Sequence, residues 1–186
     1  MDDDPADERR LVDRARAGDP DAWELVYRRA YPRLIAYARH RLATHEQAEE
    51  AVSETMLRAI GSIARYERTD AGLQGWLFGI ARNVVLETYR AGARQRTTDP
   101  AVLVTETAPA HTEPEAVAVQ GEQSRLLARA FHRLSEADRD LLELRVLGGL
   151  GAEQVGALTG RRAGAVRMAQ SRALARLRTE YEGLMA

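Results

Sequence analysis

The sequence predicts an all-α chain of two small helical domains joined by a flexible, acidic, proline-containing linker. Apolar residues recur at spacings of three and four on both sides of the chain's middle, and no stretch alternates at period two for long enough to build a sheet. Between them, residues 97–122 read TTDPAVLVTETAPAHTEPEAVAVQGE, with three prolines, five acids and no arginine. Proline denies the backbone regular hydrogen bonding and the acids repel one another, so this stretch is expected not to pack. The 186 residues are 45% hydrophobic, enough for two small cores, and without cysteine neither disulfides nor thiolate zinc sites can replace a core. The expected division is an acidic disordered tail over 1–7, a first domain over 8–96, the linker over 97–122 and a second domain over 123–186.

In the first domain, Trp23, Val26, Tyr27, Ala30, Tyr31, Leu34, Ile35, Ala38 and Leu42 form one helical stripe. Pro32 interrupts it, which predicts either a kink or two helices joined near Tyr31. The next helix, about 46–63, buries Ala48, Val52, Thr55, Met56, Ala59 and Ile63. Its opposite face carries Glu46, Glu50, Ser53, Glu54 and Leu57, which is either a solvated acidic surface or a seat for a basic, partly apolar partner. A third helix, about 73–91, directs Leu73, Trp76, Leu77, Ile80, Ala81, Val84 and Val85 inward. Phe78, Arg82, Asn83, Leu86, Tyr89 and Arg90 are expected outside. Aromatics interleaved with arginines suit the stacking of unpaired bases, and equally suit packing on a neighbouring helix.

The second domain opens with a helix over about 123–134, whose Leu126, Leu127, Ala130, Phe131 and Leu134 share a side. Ser135 and Asp138 stand in a capping-box-like arrangement, and Gly148 or Gly149 is placed to stop the helix that follows. A short helix over 152–159, a turn at Gly160 and a longer helix then follow the helix-turn-helix plan, in which the second helix enters the DNA major groove. In the longer helix Val166, Ala173, Leu174, Leu177, Tyr181 and Leu184, with Gln170, form the expected buried stripe. Arg167, Arg172, Arg176 and Arg178 project elsewhere.

Charge sharpens this reading. Residues 161–178, RRAGAVRMAQSRALARLR, hold six arginines and no carboxylate, whereas the rest of the chain sets 21 arginines against 28 acids. A basic patch confined to one end of a chain of formal charge −1 brings that end to a polyanion without making the whole surface sticky. All 27 basic residues are arginine, so neither a Walker-type phosphate loop nor a Schiff base has its lysine. The four histidines are scattered and no G-x-S-x-G occurs, so no enzyme, cofactor or metal is expected. The acidic start MDDDPADERR is unlike a signal peptide, and no apolar run nears the roughly 18 to 20 residues that span a bilayer. A cytoplasmic protein without membrane insertion is expected.

Four motifs, in order, carry a family resemblance: AGDPDAWELVYRRAYPRLIAYARHRL, QAEEAVSETMLRAI, GWLFGIARNVVLETYR and LSEADRDLLELRVLGGLGAEQVGALTGRRAGAVRMAQSRALARLR. Together they resemble the extracytoplasmic-function (ECF) sigma factors of bacterial RNA polymerase, in the sigma-70 family. The resemblance implies a sigma region 2 helical bundle and a sigma region 4 helix-turn-helix. It implies that Glu49, Glu50, Glu54 and Leu57 bind core polymerase at the clamp coiled-coil of its largest subunit. Arg82, Asn83, Tyr89 and Arg90 would contact the unpaired strand of the minus-ten element. Arg161, Arg162, Arg167, Ser171 and Arg172 would read duplex DNA at the minus-thirty-five element. The linker would thread toward the polymerase active site or RNA exit channel, and an anti-sigma factor is a further implied partner. Ser53, Gly151, Thr159 and Arg162 depart from the family's pattern, which bears on the promoter sequence read rather than on the function. The alternative is a stand-alone helix-turn-helix repressor or activator, which would need only the second domain.

Overall fold

The computed structural model describes residues 5–98 and 117–185, and these contain eight α-helices and no strand. Residues 1–4 of the expected tail and 99–116 of the expected linker lie outside the described residues.

Helix α1 (Pro5–Arg16) starts on a proline, tolerated where the first turn has no intrahelical acceptor for its amides. Asp7 and Glu8 in its first turn and Arg14 and Arg16 near its last complement the helix dipole. It therefore claims residues 5–7 from the expected tail. It buries Leu11, Val12 and Ala15, and Arg16 donates to the carbonyls of Ile63 and Tyr66.

Helix α2 (Pro20–Arg41) begins at Asp19, whose carboxylate accepts from the amides of Asp21 and Ala22. It runs unbroken through Pro32, so the two-helix alternative is not adopted. Val26, Ala30, Leu34 and Ala38 are buried on both sides of the proline, and this packing holds the helix across the missing hydrogen bond.

Thr44 caps α3 (His45–Ser62), its hydroxyl accepting from the Gln47 amide at 3.1 Å, and a 3-10 turn (Ile63–Arg65) ends it. The longest helix, α4 (Gly72–Thr98), packs against α2 and α3 to complete the first domain.

In the second domain, α5 (Val117–His132) starts six residues before the expected boundary. Pro114 is the last proline of the linker run, and beyond it nothing denies the backbone its helical bonds. Helix α6 (Glu136–Val146) is capped by Ser135, whose hydroxyl accepts from the Asp138 amide at 3.2 Å. Of the two candidate stop glycines, Gly149 takes the left-handed conformation, at φ 62°. Helices α7 (Ala152–Thr159) and α8 (Ala163–Met185) flank Gly160.

Ser135→Ala is expected to lower stability by about 1 kcal/mol, read as a drop in thermal midpoint. The same turn carries a pH dependence. The Arg176 guanidinium, and to a lesser degree the Ser135 hydroxyl, hold the Asp138 carboxyl below its usual range against an opposing effect of burial. This contact stabilises the fold above the unfolded carboxylate's value of about 4 and is lost as pH falls through the lower folded value.

The two domains share one core. Leu141, Leu144, Leu150, Ala152, Val155 and Val166 belong to the same buried cluster as the residues of α1–α4, and only Leu134, Leu142 and Ala173 form a separate cluster among the described residues. This corrects the expectation for Phe78. Predicted outside, it is fully buried, edge-to-face with Tyr37 and so close to the chain at Gly148 that a β-carbon there would stand 3.0 Å from its ring. A wheel drawn for one domain cannot anticipate a second domain closing over its outer face. Leu174 is the opposite case: expected inside, it is exposed, because α8 buries only the narrower line of Val166 and Ala173.

Candidate nucleic-acid interface

Gly156 determines how closely α7 and α8 approach. A β-carbon on it would lie 2.5 Å from the Arg161 carbonyl oxygen, and the Arg161 amide donates back to the Gly156 carbonyl at 2.9 Å. At Gly160 the chain turns with φ 68°, a conformation that costs a residue bearing a β-carbon. Gly151, where a capping side chain is missing, is served instead by Gln154, whose side-chain oxygen accepts from the Gly151 amide at 2.7 Å.

This turn sorts the six arginines of 161–178. Arg176 forks onto Asp138 with bonds of 2.8 and 2.6 Å and so ties α8 to α6. Arg178 pairs with Glu182 one turn along its own helix. Arg161, Arg162, Arg167 and Arg172 face solvent together with Ser171. Arg167 meets Glu153 of α7 at 2.9 Å, but both side chains are 60% exposed, and such a pair is readily exchanged for a phosphate or a base edge. The five residues expected to read duplex DNA are thus all exposed.

On the first domain, α3 presents Glu46, Glu49, Glu50, Ser53 and Leu57 to solvent, with Leu57 64% exposed. Ile60, which the sequence reading did not single out, is half exposed and extends the apolar strip by one turn; its i+3 relation to Leu57 was the available signal. Glu49 pairs with His45 at 2.9 Å. Glu54 is engaged more firmly: Arg58 donates to it at 2.6 Å and reaches both oxygens of Glu87 on α4, the two acids raising the Arg58 pKa. Tyr27 was also missed as a surface residue, because its place in the apolar stripe of α2 pointed inward; it is exposed and tilted against Tyr31 at 5.1 Å.

Of the four residues expected to meet an unpaired strand, Asn83, Tyr89 and Arg90 are exposed on α4. Arg82 is not available in the same way. Its guanidinium donates to Asp140 of α6 through Nε and Nη2, at 3.1 and 3.0 Å. Three of the four are therefore exposed on α4, and the fourth is turned toward the second domain.

Among the described residues no helix is long and apolar enough to cross a membrane. Two family descriptions match the chain: Sigma-70 region 2 over residues 26–95 and Sigma-70, region 4 over residues 130–179. The ECF RNA polymerase sigma factor SigD of Mycobacterium tuberculosis is 34% identical, over 91% of this chain and 82% of its own. ShbA of Streptomyces griseus, another ECF RNA polymerase sigma factor, is 33% identical over 92% and 94% of the two chains. Among solved structures, CnrH in complex with the cytosolic domain of CnrY aligns with a TM-score of 0.69 at 20% identity, over 95% of this chain and 97% of that one. The sigma factor RpoE in complex with the anti-sigma factor NepR, from Bartonella quintana, aligns at 0.65 and 24%, over 86% and 96%. These two likenesses concern the fold.

Proposed function

Since this chain belongs to the ECF sigma factors of the sigma-70 family and directs RNA polymerase in transcription initiation, we propose a division of labour between its surfaces. The first domain, from α1 through α4, acts as region 2 and the second, from α5 through α8, as region 4, with the acidic linker joining them. Glu49, Glu50 and Leu57, extended by Ile60, dock on the coiled-coil of the polymerase's largest subunit, where an acidic rim around an exposed apolar strip suits a basic, partly apolar helix pair. Glu54 supports this face through Arg58.

Region 4 reads the minus-thirty-five duplex through Arg161, Arg162, Arg167, Ser171 and Arg172, arginine forks on guanine giving specificity and the remaining contacts holding phosphates. Region 2 captures the melted minus-ten strand with Asn83, Tyr89 and Arg90, and with Arg82 once it is released. Bases that leave the duplex lose stacking and regain it on the protein, so binding drives opening without any catalysis by the chain. The protein works in the cytoplasm, where its polymerase is. An anti-sigma protein is its second partner class, as one accompanies the RpoE relative above.

The observation that carries this reading is the pairing of a basic helix-turn-helix with an acidic, apolar-tipped α3 on one short chain. A stand-alone repressor has no use for the second surface. The test is run-off transcription with purified core polymerase: transcripts that appear only when the chain is added support it, and transcription independent of the chain at every promoter rejects it. In the same assay Arg167→Ala should weaken selection of the upstream element by about tenfold or more, the worth of one bidentate base contact. Unchanged promoter preference would remove Arg167 from the recognition surface.

A further inference from the structure

Where the domains meet, they bury charge. Arg41, at the end of α2, donates to Asp140 of α6 at 2.9 Å and to Glu143, while His40 Nδ1 lies 2.8 Å from the other oxygen of Glu143. Arg82 of α4 closes the cluster on Asp140. The side chains of Glu143, Asp140 and Arg41 are only 5%, 13% and 14% exposed. Beside them Tyr37 is fully buried, with the Arg41 guanidinium 5.6 Å over its ring, and its hydroxyl meets no hydrogen-bond partner among the described residues.

The buried charges add little to the apolar contacts of the shared core in keeping this seam shut. Ion pairs removed from water gain little net stability, because desolvating the charges offsets their attraction, and an unmatched buried hydroxyl costs more. Leucine and valine at these positions would seal the domains better. The cluster makes sense as a device that has to come apart.

What it covers indicates why. Arg82 lies on the helix that carries Asn83, Tyr89 and Arg90, and a guanidinium forked onto a carboxylate is held by the same geometry that holds it on a phosphate. We propose that Asp140 and Glu143 act as a built-in substitute for the DNA backbone: they hold region 4 against region 2 and withhold Arg82 from single-stranded DNA until the domains separate. The proposal rests on the assignment of α4 to strand capture. The closed chain then binds single strands more weakly than the open one, by the fraction of time it spends open.

The test uses the full chain carrying Asp140→Asn and Glu143→Gln, near-isosteric changes that leave Arg41 and Arg82 without counter-charges. The radius of gyration from small-angle X-ray scattering should rise, and a single-stranded 20-nucleotide DNA should bind about tenfold more tightly. A charge-matched control, Asp13→Asn with Glu24→Gln on exposed turns of α1 and α2, should show neither effect. Adding Arg82→Ala to the open variant should abolish the gain. An unchanged radius, an equal gain in the control, or a gain that survives Arg82→Ala overturns the proposal. If the double variant fails to fold, Asp140→Asn alone is read by the same two measurements against the same outcomes. Run-off transcription by the unaltered chain separates the two readings: if it depends on the chain while the open variant gains nothing, only the latch is lost. If the chain supports no transcription, the functional assignment fails first.

Discussion

Leu57→Arg combined with Glu50→Arg should lower the chain's affinity for core polymerase by about a hundredfold, roughly 2.7 kcal/mol. Leu57 is the most exposed apolar side chain of α3, and with Ile60 it forms the only apolar strip along the helix's acidic outer face among the described residues. An apolar anchor ringed by charges that exclude water concentrates binding energy in one or two side chains. Reversing Glu50 adds a repulsion against a basic partner, which acts on the encounter rate as well as on the bound state. Both positions are solvent-facing, so the thermal midpoint should hardly move, and affinity for a minus-thirty-five duplex should be unchanged. Glu54 is the poorer choice for such a reversal. It anchors Arg58, which in turn holds Glu87 on α4, so changing it would disturb the α3–α4 contact along with any interface. Surface plasmon resonance on immobilised core separates the outcomes, since equal loss of polymerase and duplex binding would mean that the docking face lies elsewhere.

What the sequence made legible, and what it hid, divides along a physical line. The helix-turn-helix was readable to the residue: the short helix over 152–159 and the turn at Gly160 depend on local signals, a glycine and a change of apolar phase. The cap at Ser135 and the stripe of α3 were readable for the same reason. Phe78, Arg82 and Leu174 were misplaced because their surroundings are set by contacts more than fifty residues away or by how wide a stripe α8 buries. No periodicity encodes that α7 packs on α4 or that Asp140 of α6 reaches Arg82. A trace of it was present all the same. Asp140 and Glu143 stand three apart on one face of α6, and both could have been asked for partners.

Gly156→Val should destabilise the second domain by about 3 kcal/mol and remove most recognition of the minus-thirty-five duplex. The reason is specific to this position. A β-carbon would be driven to 2.5 Å from a backbone oxygen, and a main-chain carbonyl at a turn cannot swing aside as a side chain would. Either α8 shifts away from α7 or the turn at Arg161 is rebuilt. In both cases Arg161, Arg162 and Arg167 change position relative to α7. Gly160→Ala provides the contrast. Nothing lies within 4 Å of a β-carbon there, so its cost is only that of holding an alanine in a left-handed conformation, about 1 kcal/mol. Duplex affinity, measured by fluorescence anisotropy below the transition temperature of each variant, should therefore fall steeply for Gly156→Val and little for Gly160→Ala. Equal losses in the two would mean that the turn's backbone conformation, rather than the close approach of α7 to α8, places the arginines.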